Sequence, residues 1–133
     1  MKLINEKEPI KGKRFLDVGC GIGNVCGIAV QFGCVAEGIE LNPVLNNVSK
    51  ELFPEIIVHN MNISEFNTYS DYDIIFYFLP YQIDELEEEM IKKIENSVKI
   101  GTYIIVEIEE NKDDRFIRIP LNNVNNKIWQ KIK

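Results

Sequence analysis

The stretch Phe15-Leu16-Asp17-Val18-Gly19-Cys20-Gly21-Ile22-Gly23-Asn24 determines how the rest of this chain is interpreted. Its first four residues form a short apolar run that predicts a strand, and three glycines follow at alternate positions. Glycine adopts backbone conformations that other residues avoid, and it lets a ligand lie against bare backbone. A helix that begins directly after such a loop points its free N–H groups at the ligand. The stretch therefore predicts a strand, a ligand-binding loop and a helix in succession.

Outward from this stretch, short apolar runs alternate with segments of helical periodicity. Strands that alternate with helices form parallel units with right-handed crossovers. The run at 73–78 is apolar on both faces, which is typical of a central strand of a parallel sheet. The further predicted strands are Val35 to Glu40, Ile56 to Val58, Asp73 to Phe78 and Tyr103 to Val106.

Three segments predict helices with one apolar face. The second of them begins at Asn42-Pro43, an N-cap residue followed by proline in the first turn, and the third runs from Gln82 to Ser97. The residues expected to face inward are Val25, Ile28, Ala29 and Phe32 in the first helix, Val44, Val48 and Leu52 in the second, and Ile83, Leu86, Met90, Ile91 and Ile94 in the third.

The end of the chain departs from this alternation. Arg115 to Ile119 and Lys127 to Ile132 predict two strands so close in sequence that they should pair as an antiparallel hairpin. The sequence thus predicts an α/β fold in one domain, residues 1–133. We expect a doubly wound, mostly parallel sheet of about seven strands, with helices on both faces and a short antiparallel hairpin at the C-terminus.

The composition limits the classes of function. With 133 residues, of which 45% are hydrophobic, the chain is long enough to bury a core. Its net charge of −6 disfavours a nucleic-acid partner, because binding to phosphates needs lysine and arginine in excess. The last 33 residues do hold six basic against five acidic residues, so a local basic strip stays open. No apolar segment is long enough to span a membrane.

Three cysteines, Cys20, Cys26 and Cys34, lie close together in sequence. An odd number of cysteines in a chain that can form a core predicts free thiols in a reducing compartment, and hence a cytoplasmic protein. A structural zinc site needs four ligands, and the lone histidine, His59, is far away in sequence. We therefore expect no metal.

Two classes of cofactor use a glycine loop between a strand and a helix. Dinucleotide-binding loops carry G-x-G-x-x-G, but the sixth position counted from Gly19 is Asn24, so this fingerprint fails. Asp17 lies two residues before the first glycine, where its carboxylate would repel a pyrophosphate. A nucleotide-linked oxidoreductase is therefore disfavoured. A purely structural loop, whose glycines serve only a tight turn, stays open.

The arrangement strand, D-x-G-x-G-x-G, helix resembles motif I of the class I S-adenosylmethionine (SAM)-dependent methyltransferases. An acid suits SAM, which carries an ammonium and a sulfonium. Glu40 ends the second strand, 17 residues after Gly23, and in the resembled family this acid holds the ribose hydroxyls, while the next residue, Leu41, packs on the adenine. After the third strand the family has an adenine contact that aligns with Asn62, with Asn60 as the competing choice. The resemblance implies a cofactor site of Asp17, Gly19, Cys20, Gly21, Gly23, Glu40, Leu41, Asn62 and Phe78.

The methyl acceptor should be contacted after the fourth strand, at Phe78-Leu79-Pro80-Tyr81. The corresponding run in methyltransferases of amino groups in DNA and protein is Asn/Asp/Ser-Pro-Pro-Tyr/Phe, of which only Pro80 and Tyr81 match. The side chain of Phe78 cannot accept a hydrogen bond, which disfavours a base amino group. Tyr81 is a candidate wall of the acceptor pocket, or packs under the following helix. The favoured acceptors are a small molecule or a protein side chain, and no catalytic residue is assigned.

The resemblance covers about residues 12–108. The family usually continues with another helix and a hairpin, giving strand order 3-2-1-4-5-7-6, but residues 107–114 are too short and too charged for that helix. About a dozen residues precede the first strand, too few for an N-terminal helical cap over the cofactor. We therefore expect a truncated version of the fold. The alternative to an enzyme is a SAM-binding module, or a subunit that needs a partner to complete its acceptor site, and homo- or hetero-oligomers stay open.

Overall fold

The computed structural model describes residues 1–78, 84–106, 112–120 and 127–133. Their contacts divide the chain into two units, Met1–Phe66 and Asn67–Lys133. The first unit contains α1 (Lys2–Lys7), β1 (Arg14–Val18), α2 (Asn24–Gln31), β2 (Val35–Ile39), α3 (Pro43–Leu52) and β3 (Ile57–His59). The second contains β4 (Ile74–Tyr77), α4 (Glu85–Ser97), β5 (Tyr103–Val106), β6 (Phe116–Ile119) and β7 (Lys127–Lys131).

The seven strands form one sheet in the order β3-β2-β1-β4-β5-β7-β6. Strand β2 pairs in parallel with β1 and β3, and β4 pairs in parallel with β5. Strand β7 pairs antiparallel with both β5 and β6. The predicted fold class and the C-terminal hairpin are confirmed, and the strand order is the one usual in the resembled family. All four residues of β4 are buried, as expected of a central strand.

Two helices begin at the side chains that favour a helix start. Asn42 caps α3 by accepting hydrogen bonds from the N–H groups of Val44 and Leu45, with Pro43 in the first turn. Asp84 and Glu87 form a reciprocal capping box at the start of α4. The cap at Asn42 confirms the predicted start of α3, whereas α4 begins at Glu85, later than the predicted Gln82.

The predicted inward faces of α2 and α3 are wrong in part. Ile28 of α2 is 48% exposed, and Val44 and Leu52 of α3 are 66% and 54% exposed. Ala29 of α2 is buried as predicted. The other buried residues are small or polar: Cys26 and Gly27 in α2, and Asn46 and Ser49 in α3. The reason is close packing, since the ring of Phe53 lies against Gly27 and leaves no room for a Cβ there.

The predicted inward face of α4 also needs correction. Ile94 is buried as expected, but Leu86 is 72% exposed. Ile83 lies outside the described residues. The first turn of α4, where Leu86 lies, is held by its capping box. Among the helices of the described ranges, none combines the length and the apolar character that crossing a membrane requires.

Candidate functional site

The glycine loop between β1 and α2 has the backbone conformation that its sequence predicts. Gly19, Gly21 and Gly23 have φ angles of 81°, 56° and 89°, in the left-handed region that side chains with a Cβ rarely adopt. A Cβ at Gly21 would meet nothing within 4 Å, and one at Gly19 would only touch Ile63, at 3.9 Å. The loop at Gly21 therefore presents bare backbone to open space.

Gly23 lies in more crowded surroundings than Gly19 and Gly21. It is buried at the N-cap of α2, and a Cβ there would lie 3.4 Å from both Phe53 and Ser49. Its N–H donates to the carbonyl of Cys20 at 2.9 Å, which closes the loop on itself. The third glycine thus lets α2 pack closely against α3.

The loop is tied to the end of the neighbouring strand. The N–H groups of Gly19 and Cys20 both donate to the carbonyl oxygen of Ile39, at 2.9 Å each. Ile39 is the last residue of β2 and directly precedes Glu40. The glycine loop and Glu40, 17 residues apart in sequence, are therefore held in one rigid frame.

The carboxylates of Asp17 and Glu40 both act on the thiol of Cys20. Burial raises the pKa of Cys20, and the negative charges of Asp17 and Glu40 raise it further, to about 12. Asp17 is buried, and Glu40 is half-buried. The pKa of Cys26 is also raised, chiefly by burial and then by Asp17 and Cys20. The structure thus brings Asp17, Cys20 and Glu40 together beside the loop.

Glu40 differs from Glu37, three residues earlier in the chain. The buried Glu37 carboxylate accepts from Arg14 Nη2 at 2.7 Å, and its Oε1 lies 2.9 Å from His59 Nε2. In the described part of the chain, no hydrogen bond or ion pair engages the carboxylate of Glu40. A half-buried carboxylate without a partner is costly, because it loses hydration without gaining hydrogen bonds. Glu40 is therefore the acid at this site that is disposed to accept hydrogen bonds from a ligand.

The residues predicted to contact adenine lie on two neighbouring segments. Leu41 is 60% exposed, next to Glu40. The Oδ1 of Asn62 already accepts from the N–H and the hydroxyl of Ser64, at 3.0 and 2.9 Å, in the cap of a 3₁₀ turn at Ile63–Glu65. Asn60 donates from Nδ2 to the carbonyl oxygens of Glu40 and Leu41. The adenine contact of Asn62 stays a prediction.

The residues after β4 belong to the second unit. Phe78 directly follows β4 and is 60% exposed. Leu79, Pro80 and the acceptor-pocket candidate Tyr81 lie outside the described residues. Both the contact of Phe78 with a cofactor and the role of Tyr81 therefore stay predictions.

Two relationships at the site were not found by reasoning from the sequence. One is the pair of hydrogen bonds from Asn60, for which the sequence offers only an asparagine after a strand. The other is the contact of Cys20 with Gly38, where a Cβ would lie 2.7 Å from the Cys20 Cβ. A glycine inside a strand often marks such a close approach, so this signal was present in the sequence. Within the described ranges, no group of three or more His, Cys, Asp or Glu side chains is arranged to hold a metal ion.

No protein-family model and no curated protein sequence matches the chain. Several solved structures, however, match the fold of the chain. A protein from Haemophilus influenzae that is described as a methylase superposes with a TM-score of 0.80 at 17% identity, over 99% of this chain and 95% of that one. An RNA methyltransferase from Salinibacter ruber, solved with S-adenosylhomocysteine, gives 0.72 at 15% identity over 98% and 87%. A TehB-like SAM-dependent methyltransferase from Corynebacterium glutamicum gives 0.71 at 18% identity over 98% and 85%.

Proposed function

We propose that this chain, which has the fold of the class I SAM-dependent methyltransferases, binds SAM in its first unit and transfers the methyl group to an acceptor. One observation carries the proposal. The half-buried carboxylate of Glu40, without a partner among the described residues, lies in one frame with a glycine loop that exposes bare backbone. A ribose with two neighbouring hydroxyls is a suitable partner for such a carboxylate, because both hydroxyls donate to it.

The charge of the site fits SAM. The carboxylates of Asp17 and Glu40 both raise the pKa of Cys20, so two acidic groups lie beside the loop. A ligand with an ammonium and a sulfonium is attracted to these two carboxylates. The open space beside Gly21 leaves room for a ligand along the backbone.

The same features argue against a dinucleotide cofactor. A pyrophosphate would bring negative charge beside Asp17, which is buried at the end of β1. In the dinucleotide fingerprint, the third glycine lies three residues after the second, at the position that Asn24 occupies here. We therefore place SAM ahead of NAD or FAD at this loop.

When bound, SAM supplies a methyl group on a sulfonium that is already an activated leaving group. The chain then has to bind and orient the two reactants, and alignment alone supplies much of the acceleration of such a displacement. Asp17 and the glycine loop would hold the methionine end of SAM, and Glu40 and Leu41 would hold its ribose and its adenine. The proposal needs no acid or base from the protein.

We favour a small molecule or a protein side chain as the acceptor. The apolar side chain of Phe78 cannot accept a hydrogen bond from the amino group of a base. Two basic residues of the tail are also engaged: Lys112 pairs with Glu95 at 2.8 Å, and Arg115 with Asp113 at 2.8 Å. Basic side chains in such pairs are less available to neutralise nucleic-acid phosphates.

Calorimetry with SAM and S-adenosylhomocysteine tests the cofactor. We expect one site with a dissociation constant near micromolar, or about −8 kcal/mol. NADH and FAD serve as the controls and should not bind. Binding of NADH without binding of SAM would refute the proposal.

Transfer of labelled methyl from SAM to fractions of a cell extract tests the reaction. We expect label in a small-molecule or protein fraction, and label mainly in DNA or RNA would reject the acceptor class. Tight SAM binding with no labelled product would favour a binding module over an enzyme. Tyr81→Ala should lower the transfer while leaving SAM affinity nearly unchanged, because an aromatic wall of the acceptor pocket does not touch the cofactor.

A further inference from the structure

Asn60 joins the end of β3 to the segment that carries Glu40. Its side-chain Nδ2 donates to the carbonyl oxygen of Glu40 at 2.8 Å and to that of Leu41 at 3.0 Å. We infer that Asn60 is a positioning residue, which holds the backbone around Glu40 so that its carboxylate is in the geometry that binds the ribose before any ligand arrives. The inference rests on the proposed function, because it assigns a role in the same site.

The strand register brings these residues together. Strands β2 and β3 pair in parallel, with Ile39 opposite His59, so that Glu40 and Asn60 are the next residues at the same edge. One further backbone hydrogen bond follows the last strand pair: the N–H of Glu40 donates to the carbonyl oxygen of His59 at 3.0 Å. After this bond, the carbonyl oxygens of Glu40 and Leu41 accept hydrogen bonds from the side chain of Asn60 instead of from backbone N–H groups.

The primary amide of asparagine is suited to this position. It has two N–H donors on one nitrogen, and here they engage two successive carbonyls of the backbone. Aspartate has the same shape but no donor, and its charge would face two carbonyl oxygens. Only an amide side chain of this length therefore keeps both bonds without moving the backbone.

These bonds fix the backbone on both sides of the Glu40 side chain. The N–H of Glu40 is held by His59, and its carbonyl and that of Leu41 are held by Asn60. Asn42 then caps α3 directly after this segment. A carboxylate on a fixed backbone loses less conformational entropy when a ligand binds, and the affinity is correspondingly higher.

Both N–H donors of the Asn60 amide are used on the backbone, so its oxygen Oδ1 is the atom left to accept a hydrogen bond from adenine. A positioning effect of Asn60 passes through Glu40, whereas a direct contact of Oδ1 with adenine would not. This distinguishes a positioning role from direct contact with the ligand, because only the positioning role disappears when the Glu40 carboxylate is absent.

A double-mutant cycle tests the inference, with calorimetric binding of S-adenosylhomocysteine as the measurement. Asn60→Asp should weaken binding about tenfold in the otherwise unchanged chain, which corresponds to ~1.4 kcal/mol. In the Glu40→Ala background, the same substitution should change the affinity by less than about twofold. Asn60→Ala, which removes the donors without adding charge, should behave in the same way and serves if the aspartate variant does not fold.

Asn47→Asp is the matched control. Asn47 is exposed on α3, so this substitution adds the same charge to the first unit without touching either carbonyl, and the affinity should stay within about twofold. The inference would be overturned if Asn60→Asp weakened binding of S-adenosylhomocysteine equally with and without the Glu40 carboxylate. It would also be overturned if the Asn60→Asp variant bound S-adenosylhomocysteine as tightly as the Asn47→Asp control. If the unchanged chain binds neither SAM nor S-adenosylhomocysteine, the proposed function fails, and this inference fails with it.

Discussion

The thiol of Cys20 lies against the backbone of Gly38 on the neighbouring strand, so close that a Cβ at position 38 would overlap both Cys20 Sγ and Cys20 Cβ. The same thiol lies within the electrostatic reach of Asp17 and Glu40. Cys20 therefore fills the space between the glycine loop and β2.

Gly38→Ala should destabilise the fold by about 1–3 kcal/mol, because an added methyl group has no space beside Cys20. Urea denaturation measures the change. Cys20→Gly removes both overlapping atoms, so Gly38→Ala should cost less in that background than alone. Additive effects of the two substitutions would show that the contact is not the cause of the destabilisation.

The thiol of Cys20 should be unreactive at neutral pH. Its pKa is raised from 9.0 to about 12, which leaves about a thousandfold less thiolate than an ordinary cysteine at pH 8. Iodoacetamide labelling of a variant with Cys26→Ala and Cys34→Ala measures this, with the same chain in urea as the control. Equally fast labelling of the folded and the unfolded chain would contradict the prediction.

The same shift gives stability a pH dependence. Above pH 9 the thiol of the unfolded chain loses its proton, whereas Cys20 in the folded chain keeps it up to about pH 12. The unfolded state then binds fewer protons than the folded state, so the free energy of unfolding should fall as the pH rises through this window. Urea denaturation between pH 8 and pH 11 measures the slope. Cys20→Ala should have a shallower slope, and an unchanged slope would assign the effect to other groups.

Substitution of the two glutamates should separate binding from stability. Glu40→Ala should weaken SAM at least about 30-fold with little change in stability, because its carboxylate has no partner among the described residues. Glu37→Ala should instead lower the free energy of unfolding by about 2 kcal/mol, since it removes the partner of Arg14 and His59. Calorimetry and urea denaturation of both variants are the measurements. Unaltered SAM affinity in folded Glu40→Ala would remove the ribose role.

The ammonium of Lys112 is buried in the second unit and has three kinds of partner. It donates to Glu95 Oε1 at 2.8 Å and to the Tyr77 hydroxyl at 3.0 Å, and it lies 5.7 Å from the centre of the Phe116 ring. Lys112→Met should destabilise the chain by about 3 kcal/mol, because it leaves a largely buried Glu95 without this cation.

Thermal and urea denaturation of Lys112→Met test this prediction. Lys112→Arg is the control that keeps the charge, and it should be less destabilised than the methionine variant. Adding Glu95→Gln to Lys112→Met should recover part of the loss, because it removes a largely buried charge that keeps only the more distant Arg115, at 3.8 Å, as a cation. A methionine variant as stable as the unchanged chain would show that the buried pair contributes nothing net.

The fold could be predicted from the sequence because each parallel strand is a short apolar run that ends at a turn. The run at Tyr103–Val106 was predicted to the residue, and the cap at Asn42 was identified from its side chain. The glycine loop was identified in the same way, since positive φ angles at Gly19 and Gly21 are what alternate glycines permit.

The helix faces were harder to predict because apolar periodicity assumes that large side chains are buried. In α2 and α3 the close approach of the helices places Gly27 and Ser49 inward and leaves Ile28 and Val44 exposed. The role of Asn60 depends on strand register, which brings it level with Glu40 and which no local pattern encodes.

The two strands at the edges of the sheet are short: β3 has three residues and β6 has four. An edge strand presents unpaired N–H and C=O groups on which another chain can add a strand, and a short edge offers few of them. Pro120, directly after β6, has no N–H with which to extend that edge, and the charged Arg118 is exposed within it. A chain with such edges should resist templated aggregation at high concentration, even though its strands β4 and β5 are strongly apolar.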